Sequence, residues 1–119
     1  MGPRKMELVR GTLDVLVLKS LSWGPMHGYA VTRWIRETTD EALQVEEGAL
    51  YPALHRMEER GWLKAEWGVS ENNRRAKFYA LTDQGKEQLQ IDSSRWIRFA
   101  ESVAKILDAT DRPVWAEQR

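Results

Sequence analysis

Residues 62–81 read Trp-Leu-Lys-Ala-Glu-Trp-Gly-Val-Ser-Glu-Asn-Asn-Arg-Arg-Ala-Lys-Phe-Tyr-Ala-Leu, and this stretch decides the fold. Trp62-Leu63-Lys64-Ala65-Glu66-Trp67 and Lys77-Phe78-Tyr79-Ala80-Leu81 have strand character. Gly68 to Arg75 between them is a polar turn, with Arg74 and Arg75 close to its tip. Two strands around a polar loop make a hairpin. Everything before the hairpin reads as helical, and so does almost everything after it.

Upstream, Glu47 to Arg60 is predicted as a helix. Leu50, Leu54 and Met57 fall at i, i+4 and i+7 and mark its core face. Pro52 lies in the first turns, where a missing N–H costs least, and Gly61 ends the helix. Before it, Leu43-Gln44-Val45 alternates apolar and polar residues and suggests a short strand. His27 to Thr38 is predicted as a short helix, preceded by the stop Ser22-Trp23-Gly24-Pro25-Met26. Glu7 to Leu21 is predicted as a first helix, apolar nearly all round and therefore buried on more than one side. Downstream, Thr82 is a plausible N-cap for a last helix running to about Asp108, roughly 39 Å long at 1.5 Å per residue. Leu89, Trp96 and Val103 are spaced by seven, as are Asp92, Phe99 and Ile106. The apolar arc is too wide for one partner face, so two partners are expected: the chain's own first helix and a second copy. The order is helix, helix, helix, two-stranded wing, long helix. The fold class is therefore α+β, mainly α: a winged helix-turn-helix with a long C-terminal dimerisation helix. Residues 1–82 form the winged domain, 83–108 the dimerisation helix and 109–119 a tail.

Three blocks then carry a family resemblance. Leu21 to Tyr29 (L-S-W-G-P-M-H-G-Y), Gly48 to Gly61 (G-A-L-Y-P-A-L-H-R-M-E-E-R-G, continuing W-L to Leu63) and Arg74 to Gly85 (R-R-A-K-F-Y-A-L-T-D-Q-G) are similar to the PadR-like transcriptional regulators. The resemblance covers about residues 8 to 108. It implies a homodimeric DNA-binding regulator, usually a repressor, released in some members by small molecules. The short C-terminal part resembles the small members that dimerise through a single helix.

A recognition helix presents its N-terminal residues to base edges in the major groove. Gly48, Ala49, Tyr51, Pro52, His55 and Arg56 lie at or near the face of the third helix opposite its core stripe. Tyr51 can donate to a phosphate, or pack against the second helix at even odds. Arg74, Arg75 and Lys77 on the wing suit phosphate or minor-groove contact. Arg4, Lys5 and Arg10 form a second basic group, of which Lys5 is taken as a candidate DNA contact. Trp96 lies mid-way along the last helix beside Phe99. Across a two-fold axis two indoles can sandwich a flat apolar ligand or simply fill the interface. An aromatic small-molecule effector is expected there by resemblance to some members of the family. The expected dimer contacts are Leu13, Val17, Leu89, Trp96, Phe99, Val103 and Ile106. Trp34, Trp62 and Trp67 are expected in or half in the core of the winged domain, and His27 is expected to cap or pack.

Composition bounds the remaining classes. The chain has 119 residues, with 18 Lys+Arg against 18 Asp+Glu, so binding through bulk positive charge is excluded. The zero is an average. Residues 1–10 and 62–82 each carry +2, and residues 46–61 carry −2. No cysteine is present, which removes disulfides, thiolate catalysis and zinc ribbons. No apolar run approaches the roughly 20 residues of a membrane span, and no secretory leader is seen, so a cytoplasmic protein is expected. His55 and Glu59, one helical turn apart, are too few ligands for a metal. No phosphate loop, nucleophile elbow or paired carboxylates point to an enzyme, and no cofactor is expected. The remaining rival is a winged-helix ligand-sensing or protein-interaction module with little operator specificity.

Overall fold

The computed structural model describes residues 10–117. α1 spans Arg10–Ser20 and continues into a 3-10 turn, Leu21–Trp23. A two-residue strand β1 (Met26–His27) leads directly into α2 (Gly28–Thr38), followed by α3 (Glu47–Glu59). The hairpin is β2 (Leu63–Val69) and β3 (Arg75–Leu81), and α4 runs from Asp83 to Asp108. A second 3-10 turn, Val114–Glu117, lies in the C-terminal tail.

The helices α1, α2 and α3 enclose one core. Val17, Leu18 and Leu21 meet Val31 and Ile35 of α2 and Leu50, Ala53, Leu54 and Met57 of α3. Leu63 and Tyr79 close it from the sheet side. The expected core stripe of α3 is thus the buried one. The sheet order is β1-β3-β2, antiparallel throughout, with Leu63 opposite Leu81 and Val69 opposite Arg75.

Local chemistry sets the boundaries. α3 ends in a Schellman motif: Gly61 takes φ 80°, its N–H donates to Glu58 O, and the Trp62 N–H donates to Met57 O, both at 3.0 Å. That reversal aims the chain straight into β2. Thr82 caps α4 by accepting from the Gly85 N–H at 3.0 Å, while its own hydroxyl donates to Gly61 O. One threonine therefore ties the start of α4 to the end of α3. Gly85 is required for this: a Cβ there would stand 2.1 Å from the Trp62 carbonyl oxygen.

Three expectations are corrected. Leu43-Gln44-Val45 is not a strand. Its Leu43 N–H donates to the Thr39 hydroxyl at 3.1 Å, and Leu43 and Val45 pack half-buried against the core from an irregular loop. The third strand is instead Met26–His27, paired to Tyr79 and Phe78 of β3. Trp67 is not a core residue; it is 61% exposed, because β2 runs past the edge of the core and leaves nothing beneath it. Leu13 and Val17 are not available to a second copy: both are buried inside the chain, packed among α1, α2 and α3. Leu89 is likewise packed against that core.

Candidate nucleic-acid interface

α3 turns its buried stripe inward, and its other face is open. Gly48, Ala49, Tyr51, Pro52 and His55 are all exposed. The N-cap position, Glu46, makes no side-chain hydrogen bond to the first turn, so the amino end of α3 is left open to solvent. Tyr51 is held from behind: its ring and hydroxyl lie against Gly28 so closely that a Cβ there would meet the hydroxyl oxygen at 2.8 Å. Burial, and then the neighbouring Glu47, push the Tyr51 phenol above its ordinary value, so it stays a proton donor at neutral pH.

The wing lies across a groove of about 940 Å³ from α2 and α3. Tyr51, Trp67, Arg74, Arg75 and Lys77 all line this groove, together with Tyr29 and Arg33 of α2. The wing turn is closed by Ser70 and Arg74 backbone hydrogen bonds and by Asn73 at φ 58°, a conformation asparagine tolerates. Arg74 is exposed at its tip. The Arg75 guanidinium lies over the Trp67 indole, 4.5 Å from the ring centroid. Lys77 is half-buried at the base of the wing, 3.5 Å from Glu58 and over the Tyr79 ring, so much of its charge is compensated within the chain.

Two expected contacts stand elsewhere. Arg56 is on the flank of α3 that faces α1, where its Nη2 pairs with Asp14 Oδ1 at 2.5 Å. Only 20% of its side chain is exposed, so it is not part of the open face. Lys5 lies outside the described residues. Arg33 and Trp67 were not singled out from the sequence as interface residues. Arg33 pairs with Glu37 at 2.8 Å, and that hydrogen bond holds the Glu37 carboxyl below its ordinary range. The signal for Arg33 was available: a basic residue on the wet side of the helix that precedes a recognition helix borders the same duplex.

His27 caps α2, its Nδ1 accepting from the Ala30 N–H at 3.2 Å, as expected for a residue in that turn. Among the described residues no cluster of His, Cys, Asp and Glu could hold a metal ion, and no helix is long and apolar enough to cross a membrane.

A second concavity, about 420 Å³, lies between α1, the end of α3 and α4. Trp62, Trp96 and Phe99 supply its aromatic walls, and Asp14, Arg60, Asp92 and Arg95 its charges. Trp96 Nε1 donates to Thr12 Oγ1 at 2.9 Å, which ties α4 to α1. Beyond this tie α4 carries exposed apolar residues, Phe99 at 68% and Ile106 at 76% among them.

The sequence profile of the "Transcriptional regulator PadR-like family" matches residues 17–91, from mid-α1 through the wing into α4. The chain belongs to this family. Its members are DNA-binding transcriptional regulators, not enzymes. A PadR family transcriptional regulator from Eggerthella lenta DSM 2243 is 33% identical, with a TM-score of 0.68 over 85% of this chain and 86% of that one. A transcriptional regulator from Clostridium thermocellum is 30% identical, with a TM-score of 0.72 over 81% of this chain and 93% of that one. The negative transcriptional regulator PadR of Bacillus subtilis (strain 168) is 26% identical over 77 residues, which are 65% of this chain and 42% of that protein. The four helices, the three-stranded sheet and the long last helix are those of a PadR-like winged helix.

Proposed function

We propose that this protein is a homodimeric transcriptional repressor that reads an inverted-repeat operator with α3 and its wing. The observation that carries the reading is the shared groove: Tyr51 at the amino end of α3 and Arg74 and Arg75 of the wing border one concavity beside an otherwise open helix face. In this arrangement Gly48 and Ala49 let the backbone approach the duplex, and Tyr51, Pro52 and His55 lie along the major groove. Arg74 and Arg75 neutralise flanking phosphates, with Lys77 and Lys5 in supporting roles. Residues 1–82 act as the DNA-binding unit, residues 83–108 as the dimer helix, and residues 109–119 as a tail; the site of action is the cytoplasm.

The dimer follows from the apolar surface of α4. Trp96, Phe99, Val103 and Ile106 are exposed in the single chain, and an apolar stripe of this kind is covered in solution by a second copy. The pocket beside Trp96 and Phe99 is the place for an aromatic or apolar effector whose binding releases the operator. The name of the Bacillus subtilis relative supports repression over activation.

The test is a salt titration of duplex binding. Each phosphate contact contributes about 0.9 to the slope of log K against log salt. Replacing Arg74 and Arg75 by alanine should weaken binding and flatten the slope by roughly one unit per lost contact. Unchanged affinity at every salt concentration would remove the wing from the interface and favour a protein-interaction module.

A further inference from the structure

Two side-chain links converge on α1 from opposite sides. Trp96 of α4 donates to Thr12 at 2.9 Å, and two residues further along α1 Asp14 accepts from Arg56 of α3 at 2.5 Å. Residues two apart on a helix point to different sides, so α1 can hold the dimer helix with one and the recognition helix with the other. Asp14 is 8% exposed, and Arg56 Nε is buried with no hydrogen-bond partner. The guanidinium therefore leans on Asp14 for its compensation, and removing the carboxylate strands a buried charge.

A two-fold dimer reads two half-sites only if its recognition helices are held at one separation, close to a helical turn of DNA or a multiple of it. Apolar packing between helices fixes their distance better than their rotation, because hydrophobic contact is non-directional. A short charged hydrogen bond is directional. We propose that Asp14 and Arg56 are positioning residues: with the Trp96–Thr12 bond they form a relay from the dimer helix through α1 to α3, and this relay sets the half-site spacing that the protein accepts. Arg56 acts on DNA recognition through Asp14 and not by touching phosphate. The inference rests on the dimeric operator-binding reading above.

The experiment uses the full chain and a duplex recovered by selection with it, remade with the half-sites moved apart one base pair at a time. The unsubstituted protein prefers one spacing. In Asp14→Asn and in Arg56→Met that preference falls roughly tenfold, the size of a typical coupling between contacting residues. Affinity for random duplex and the salt slope stay unchanged, the double variant is no worse than either single one, and Arg56→Lys keeps part of the preference. Thr12→Val cuts the other link at a half-exposed position and broadens the spacing in the same way, which keeps the test open if the buried variants fail to fold. Retained spacing preference in Thr12→Val or in folded Asp14→Asn overturns the relay. So does a salt slope lowered by roughly one in Arg56→Met alone, because Arg56 is then a phosphate contact. If the unsubstituted protein recovers no paired half-sites, the operator reading itself fails and takes the relay with it. That outcome is distinct from a spacing preference that the variants keep.

Discussion

The guanidinium of Arg75 rests on the indole of Trp67, 4.5 Å from the ring centroid, on the solvent side of the wing. The two residues come from different strands, Trp67 paired to Lys77 and Arg75 to Val69 in the ladder. An indole placed this way limits the rotamers of a long basic side chain at a position where a free arginine would lose most entropy on binding. Trp67→Ala is expected to weaken duplex binding by about 0.5–1 kcal/mol, the range of an exposed cation–π contact, with Trp67→Phe in between. The salt slope should stay that of the unsubstituted protein, because Arg75 is still present. Fluorescence anisotropy at several salt concentrations checks both.

Gly85 tests the junction of wing and long helix. The 2.1 Å approach of a Cβ there to the Trp62 carbonyl is against backbone, which cannot swing aside. Gly85→Ala should destabilise the fold by about 3 kcal/mol, despite alanine's better helix propensity. Urea unfolding of both proteins measures it; a neutral or stabilising result would mean that α4 starts elsewhere.

Tyr51 carries a pH dependence of definite sign. Its phenol is raised above the ordinary value of 10.0, first by burial and then by Glu47. A raised acid releases its proton less readily in the folded chain, so the contribution is fully present below pH 10 and is lost as pH climbs through the higher folded value. The thermal midpoint should therefore fall less between pH 9 and 11 in Tyr51→Phe than in the unsubstituted protein. Equal falls would place the phenol in free solvent.

Ile106 is 76% exposed near the end of α4. Ile106→Asp puts a charge on the proposed dimer face and should shift a dimer towards monomer in sedimentation velocity, with no loss of helical signal. A dimer that survives both this change and Phe99→Asp would have to use another surface.

Most of the architecture is legible in the residues because most of it is periodic. Leu50, Leu54 and Met57 announce the face of α3, Gly61 its end and Thr82 the start of α4, and each acts locally. What escapes is what depends on a distant partner. Met26–His27 is a strand only because Tyr79 and Phe78 pass beside it, and two residues have no period to read. Trp67 looks like core because it is aromatic on an amphipathic strand; the wing outruns the core there. Arg56 sits one step from the open face of α3, and only the tertiary placement of Asp14, 42 residues earlier, decides which way it turns. Of the candidate site, the wing arginines and the amino end of α3 were readable, while Arg33 and Trp67 needed the groove to be seen.

The account's central claim is that two copies of this chain read DNA through α3 and the wing. Selection of bound duplexes from a random pool tests it most directly. The account predicts enrichment of an inverted repeat whose half-site centres lie about 10 base pairs, or a multiple of that, apart. Recovery of no enriched sequence, or of a single unpaired half-site, would contradict it.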